Sequence, residues 1–221
     1  MATFVLVHGG SMSTDTWNRL AGREDYPPGG ELGGKYWDGT VAALSSRGHR
    51  VFAPTLGDEH ECTLTDHIRQ IGTLVADHDL RDVILVGHSY GGFVITGVAD
   101  RMAERIRRLV YLDSGLPDPG QSLFDLLNLG ASRAKNPVPA MPDPSPPYVE
   151  PIRFDPAKIE RLPKTYIRCT KSEFIDITLL SKEKIDAAKG GWTFFEIPSS
   201  PVPMADMPDE WYRILLDAAD H

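Results

Sequence analysis

The 221-residue sequence has no block of basic residues, no cysteine pair at metal-ligand spacing, no apolar run near a membrane span and no histidine between residues 90 and 220. Lysine and arginine number 23 against 31 acidic residues, a formal charge of -8, which gives little electrostatic support for a nucleic-acid or anionic-membrane partner. A small neutral or cationic ligand suits such a surface better. Cys62 and Cys169 stand far apart, so a disulfide framework or a zinc site is not expected, and the sequence calls for no metal or cofactor. No stretch approaches the roughly 20 apolar residues that cross a bilayer. The first residues, Ala2 to Val7, carry neither a basic leader nor a cleavage region and read as a strand rather than a signal peptide, so the cytoplasm is the expected location.

What is present is an alternation. Strand-like runs recur at Thr3 to Val7, Arg50 to Ala53, Val83 to Val86, Arg108 to Leu112, Thr165 to Cys169 and Trp192 to Ile197. Helical patterns lie between most of them. Leu64, Ile68, Ile71 and Val75 share one helical face, a second helix opens at Tyr90 and Gly91, and another is expected around Asp38 to Ser46. The last begins near Asp206, read as its N-cap, with Trp211, Ile214, Leu215 and Ala218 on one side. This order predicts an α/β fold over 1–221, a single domain with a mainly parallel six-stranded sheet and helices on both faces. Its functional groups belong at the carboxyl ends of the strands.

Two segments interrupt the rhythm. Residues 22–36 are rich in glycine and proline and read as a turn-rich excursion. Residues 114–163 hold 11 of the 18 prolines and a helix-like piece at Ser122 to Leu129. Lying between two strands, this stretch is expected to form a short proline-rich lid rather than a disordered linker.

The sharpest signal is Val83 to Gly92, where an apolar strand runs into Gly87-His88-Ser89-Tyr90-Gly91 and then directly into a helix. Such a turn exposes the serine at a helix amino terminus, where the dipole favours a developing anion. Here the chain resembles the α/β-hydrolase superfamily. His8-Gly9-Gly10 resembles its oxyanion loop, and Thr3 to Gly10 with Val83 to Gly97 resemble the carboxylesterase, plant methylesterase and hydroxynitrile lyase branch. The resemblance implies attack by Ser89 on a carbonyl, with the oxyanion held by the backbone N–H of Tyr90 and one from Gly9 or Gly10. It also implies that His8 braces the loop and that His88 packs behind the turn.

A serine nucleophile needs a base, and the base needs a carboxylate. Asp113, ending the fourth strand, is the leading acid, and Glu173, after the fifth, is the alternative. Ser172 stands where many relatives carry an aspartate. The resemblance places the histidine in the loop after the last strand, and the register from Ile197-Pro198 and Met204 puts Pro201 there. Proline has no titratable group. His60 and His67 read as surface residues and poor substitutes, and His49, His78 and His221 fit no better.

The expected function is therefore that of a serine hydrolase resembling carboxylesterases, acting on a small ester through Ser89 with weak or altered activity. The alternative is a catalytically impaired small-molecule binding or regulatory protein on the same fold. A cyanohydrin lyase is disfavoured: those lyases carry threonine where this chain has Gly9 and lysine where it has Val202, besides the histidine. Cofactor-free dioxygenases of the fold also rely on that histidine. The sequence leaves room for a homodimer and does not name the ester.

Overall fold

The computed structural model describes residues 1–10, 12–133, 143–188 and 190–220. Its strands are β1 (Thr3–Val7), β2 (Arg50–Phe52), β3 (Val83–His88), β4 (Ile106–Leu112), β5 (Lys164–Cys169) and β6 (Trp192–Ile197). They form one sheet in the order β2-β1-β3-β4-β5-β6, and every pairing is parallel. The connections carry α1 (Thr14–Ala21), α2 (Asp38–Ser45), α3 (Leu64–Asp77), α4 (Gly91–Met102), α5 (Leu123–Arg133), α6 (Pro146–Val149), α7 (Pro156–Ile159), α8 (Ile175–Ala187), α9 (Pro203–Asp206) and α10 (Pro208–Asp220). All six expected strands form, and β3 runs two residues beyond Val86, through Gly87 and His88.

The two-residue period of the strands sorts their side chains into two cores. Val5 and Val7 of β1 join Leu85, Leu109 and Tyr111 in a cluster roofed by Ile68, Ile71 and Val75 of α3 and by Phe93 and Val98 of α4. Phe4 and Leu6 point the other way, with Val86, Val110 and Ile167, onto Trp17 of α1, Leu44 of α2 and Trp211, Ile214 and Leu215 of α10. Both faces are thus covered, which is why the strands read as near-continuous apolar runs. Ile71 is fully buried, and its truncation to alanine is worth about 2–5 kcal/mol.

Local signals fix the helix ends. Thr63 and Asp66 form a reciprocal capping box at the start of α3. Ser13 caps α1, which ends at Gly22 in the left-handed region (φ +66°). Apolar spacing did not announce α1, since only Trp17, Leu20 and Ala21 among its eight residues are apolar. The turn-rich excursion folds back through a Ser13–Glu31 bridge and enters a 3₁₀ turn, Gly33–Trp37, that buries Tyr36 and Trp37.

Two expectations about helices are corrected. Asp206 does not cap the last helix: it closes α9, and its carboxylate accepts from the backbone N–H of Ser200 at 2.8 Å, while the Trp211 N–H bonds the Met207 carbonyl. The helix expected at Ser122 to Leu129 extends to Arg133. Of the proline-rich stretch, Pro137, Pro139 and Pro142 lie outside the described residues, as does His221. No helix among the described residues is long and apolar enough to cross a membrane.

Candidate active site

β3 is buried along its whole length and delivers the chain to Ser89, which adopts φ +50° before α4 begins. For a non-glycine residue that backbone costs on the order of 1–3 kcal/mol and persists only where the surroundings enforce it. Here the Ser89 N–H donates to the Leu112 carbonyl at 2.9 Å, and the Ser114 hydroxyl donates to the Ser89 carbonyl at 2.7 Å. The flanking glycines are dictated by close approach: a Cβ on Gly87 would lie 2.5 Å from the Gly91 carbonyl oxygen, and one on Gly91 would lie 2.5 Å from that of Val7. Ser89 therefore sits at the amino end of α4, beside Tyr90, whose N–H has no intrahelical acceptor.

Next to this turn, β1 ends in His8-Gly9-Gly10. His8 Nε2 accepts from the Leu56 N–H at 2.8 Å, so Nδ1 carries the proton and donates to the Gly9 carbonyl at 2.7 Å. Burial holds this imidazole below its usual pKa, against the Gly9 bond. His88, behind the turn, hydrogen-bonds the Tyr36 hydroxyl through Nδ1 at 2.9 Å, and the Pro201 carbonyl faces its ring. Complete burial pushes His88 down to about 3. Both histidines are neutral braces, as the resemblance implied. Burial raises the Tyr36 phenol well above its ordinary range, opposed by the Gly9 backbone N–H directed at it.

Asp113 follows β4 with φ +46°, and its N–H donates to the Ile167 carbonyl at 2.9 Å. One carboxylate oxygen accepts from the Cys169 N–H at 3.1 Å and the other from the Ser172 hydroxyl at 2.5 Å. Burial nevertheless pushes the acid up to about 6, against the pull of those two bonds. Glu173 is clasped by Arg19 of α1, one guanidinium nitrogen reaching both oxygens at 2.6 Å. A cavity of about 280 Å³ joins these elements. Gly9, Gly10, Ser89, Tyr90, Asp113, Glu173 and Pro201, each singled out from the sequence, all line it.

A model of the alpha/beta hydrolase family matches residues 4–213. The chain belongs to that family. Over 136 residues it is 46% identical to the carbendazim hydrolyzing esterase of Nocardioides sp. (strain SG-4G), a match covering 58% of this chain and 48% of that protein. Over 95 residues it is 32% identical to a pyrethroid hydrolase of Sphingobium wenxiniae, covering 39% and 34%. The matched region thus spans half or less of the length of these relatives. An extracellular alpha/beta-hydrolase from a Paenibacillus species shares the fold, with a TM-score of 0.71, 21% identity and 99% of each chain covered.

In this member of the family the cavity wall is otherwise largely apolar, with Met12, Leu20, Leu123, Leu127, Phe174 and Ile177. Leu123, Leu127 and Tyr148 come from the β4–β5 segment. Tyr148 was not foreseen. Its hydroxyl donates to the Glu59 carboxylate and fills the space beside Gly10, where a Cβ would meet it at 2.0 Å. His88 is the only histidine among the described lining residues.

The reading of His67 as a surface residue is corrected. Its ring is buried, accepting from the Tyr90 hydroxyl through Nδ1 at 2.9 Å and donating from Nε2 to the Gly57 carbonyl at 3.0 Å. Position 67 falls three residues after Leu64, on the apolar face of α3, a signal present in the sequence. His60 is exposed, His49 accepts from the Ala2 N–H, and His78 ends α3. Among the described residues no cluster of His, Cys, Asp and Glu is arranged to hold a metal ion, and both cysteines are free thiols.

Proposed function

We propose that the chain is a slow carboxylic-ester hydrolase that attacks small neutral esters through Ser89. The observation that carries this is the convergence of Ser89, the Gly10 and Tyr90 backbone, Asp113 and Pro201 on one cavity. The oxyanion is held by the N–H group of Tyr90 and one from Gly9 or Gly10, all of which line the cavity. Asp113 takes the acid's position. Pro201 takes the base's position and has no group to accept a proton. The β4–β5 segment, 114–163, acts as the lid. The names of the two curated relatives, an esterase and a hydrolase, support the same reaction class.

In serine proteases, removal of the histidine costs on the order of a millionfold in turnover, yet about 10³ to 10⁴ over water survives from the oxyanion hole and binding. Restoring a base therefore tests the reading. Pro201 and Ser89 line the same cavity, so Pro201→His is expected to raise hydrolysis of a short acyl ester by at least about a hundredfold. Ser89→Ala in that background should abolish the gain. An unchanged rate in the folded variant sinks the assignment of position 201.

A binding or regulatory role is the second reading, favoured by the pairing of Ser172 with Asp113, which uses a lone pair that an imidazole would otherwise take. Failure of a fluorophosphonate to label Ser89 would select it.

A further inference from the structure

We infer that this site is a stoichiometric acyl acceptor for neutral aryl esters: it takes the acyl group onto Ser89 and releases it far more slowly than it takes it up. The inference rests on the reading of Ser89 as the nucleophile.

The two halves of ester hydrolysis make different demands. In acylation, the Ser89 Oγ–carbon bond forms and the carbon–aryloxide bond breaks. The aryloxide leaves as a stable anion without needing a proton, and the Ser89 proton passes to solvent water. The donors that steady the intermediate are backbone N–H groups, which no substitution at position 201 removes. In deacylation, a water attacks the acyl carbon and the carbon–Oγ bond breaks. The water must lose a proton, and Ser89, a far more basic leaving group than a phenol, must gain one. A positioned base normally carries that proton from one oxygen to the other.

Among the described residues, no group lining the cavity is arranged for this transfer. His88 is fully buried behind the turn, with one nitrogen on Tyr36 and the Pro201 carbonyl facing its ring. Each oxygen of Asp113 already accepts a bond, and Glu173 is clasped by Arg19. Leu123, Leu127, Phe174 and Ile177 give the cavity an apolar wall that cannot hold a water in place for attack on the acyl carbon. The second step is thus slowed more than the first.

The cavity also selects the ester. At about 280 Å³ it is nearly twice the roughly 150 Å³ that accommodates benzene, room for one aromatic ring with a short acyl chain. Arg19 and Glu173 neutralise one another at its wall, so a charged ester gains nothing there.

The test uses the full chain and p-nitrophenyl acetate. The expected result is a burst of one nitrophenol per chain, followed by release at least about a hundredfold slower. Intact mass should rise by one acetyl group, mapped to Ser89 and absent from Ser89→Ala. Pro201→His should keep the burst and shed the acetyl group. Ser89-dependent turnover with neither burst nor adduct overturns the acceptor inference while leaving Ser89 as nucleophile. An equal adduct in Ser89→Ala also overturns it. If neither the aryl ester nor a fluorophosphonate modifies Ser89, the nucleophile reading itself falls.

Discussion

The hydroxyl of Ser172 donates to the carboxylate of Asp113 at 2.5 Å, deep beneath the cavity that both Asp113 and Ser89 line. In a complete triad the carboxylate takes its main bond from an imidazole, which holds the tautomer and gains charge. Here a neutral hydroxyl and one backbone N–H are the donors, and no cation hydrogen-bonds the acid among the described residues. Burial outweighs two bonds, and the acid stays half-protonated near pH 6.

That imbalance makes stability depend on pH in a direction that can be measured. The folded pKa of about 6 lies above the ordinary 3.8, so Asp113 favours the native state while protonated. Its contribution is fully present below pH 3.8 and is lost as pH rises through 6. The difference is on the order of 3 kcal/mol. Asp113→Asn lacks this loss, so its stability relative to the parent, from urea unfolding, should improve between about pH 4 and pH 7. A pH-independent difference would show that the acid titrates normally.

His88 works in the opposite sense. Its folded pKa of about 3 lies below the unfolded 6.5, so its contribution is present above pH 6.5 and drains away as acid approaches 3. His88→Gln should flatten the acid side of the stability profile by about one proton per molecule. Between about pH 4 and pH 6 the two groups offset one another. Asp113→Asn should therefore steepen acid unfolding while His88→Gln softens it. Proton uptake on unfolding, compared for the two variants, checks both signs at once.

The fold was legible because the apolar strands and the α3 stripe carry their periods openly, and the tight turn at Ser89 needs glycines that cannot hide. His8, His88 and the candidate oxyanion residues were legible through the resemblance. Long-range side-chain pairing was not. Tyr148 reaches Gly10 and Glu59 from a segment with no periodic signal, and Arg19 meets Glu173 across more than half the chain. His67 shows a different failure: its place on the buried face was readable, but a polar residue type outweighed the position. The sequence also could not show that Ser172 bonds Asp113, because that contact depends on how the β5–α8 turn curls back over β4.

Gly10 and Tyr148 should be energetically coupled. A methyl group at Gly10 would lie 2.0 Å from the Tyr148 hydroxyl and 2.6 Å from the ring carbon that bears it. Gly10→Ala must therefore push the ring away from the β1 loop and from Glu59, at a cost of about 1–3 kcal/mol. In a Tyr148→Ala background the space is already open, and the same substitution should cost little. A double-mutant cycle by urea unfolding should give a coupling of at least about 1 kcal/mol. Additive effects would mean that Tyr148 does not rest on Gly10 in solution.

Asp113 and Glu173 can be separated as supports for a restored base. Both line the cavity, but Glu173 is partly exposed and spends its oxygens on Arg19, an exposed ion pair worth no more than about 1 kcal/mol. Asp113 is buried, holds an elevated proton affinity and sits one step beyond the β4 residue paired with His88. A carboxylate that must orient an imidazole and stabilise its positive charge works best from such a buried position. Within Pro201→His, Asp113→Asn should therefore erase at least about tenfold of the recovered rate, whereas Glu173→Gln should change it less than about threefold. The pH profile carries a second readout: the imidazolium would pull the Asp113 acid down from about 6, so recovered activity should be governed by the histidine, with no separate limb from the carboxylate. A larger loss from Glu173→Gln than from Asp113→Asn would move the acid to the β5 side of the cavity and leave Asp113 as a structural residue.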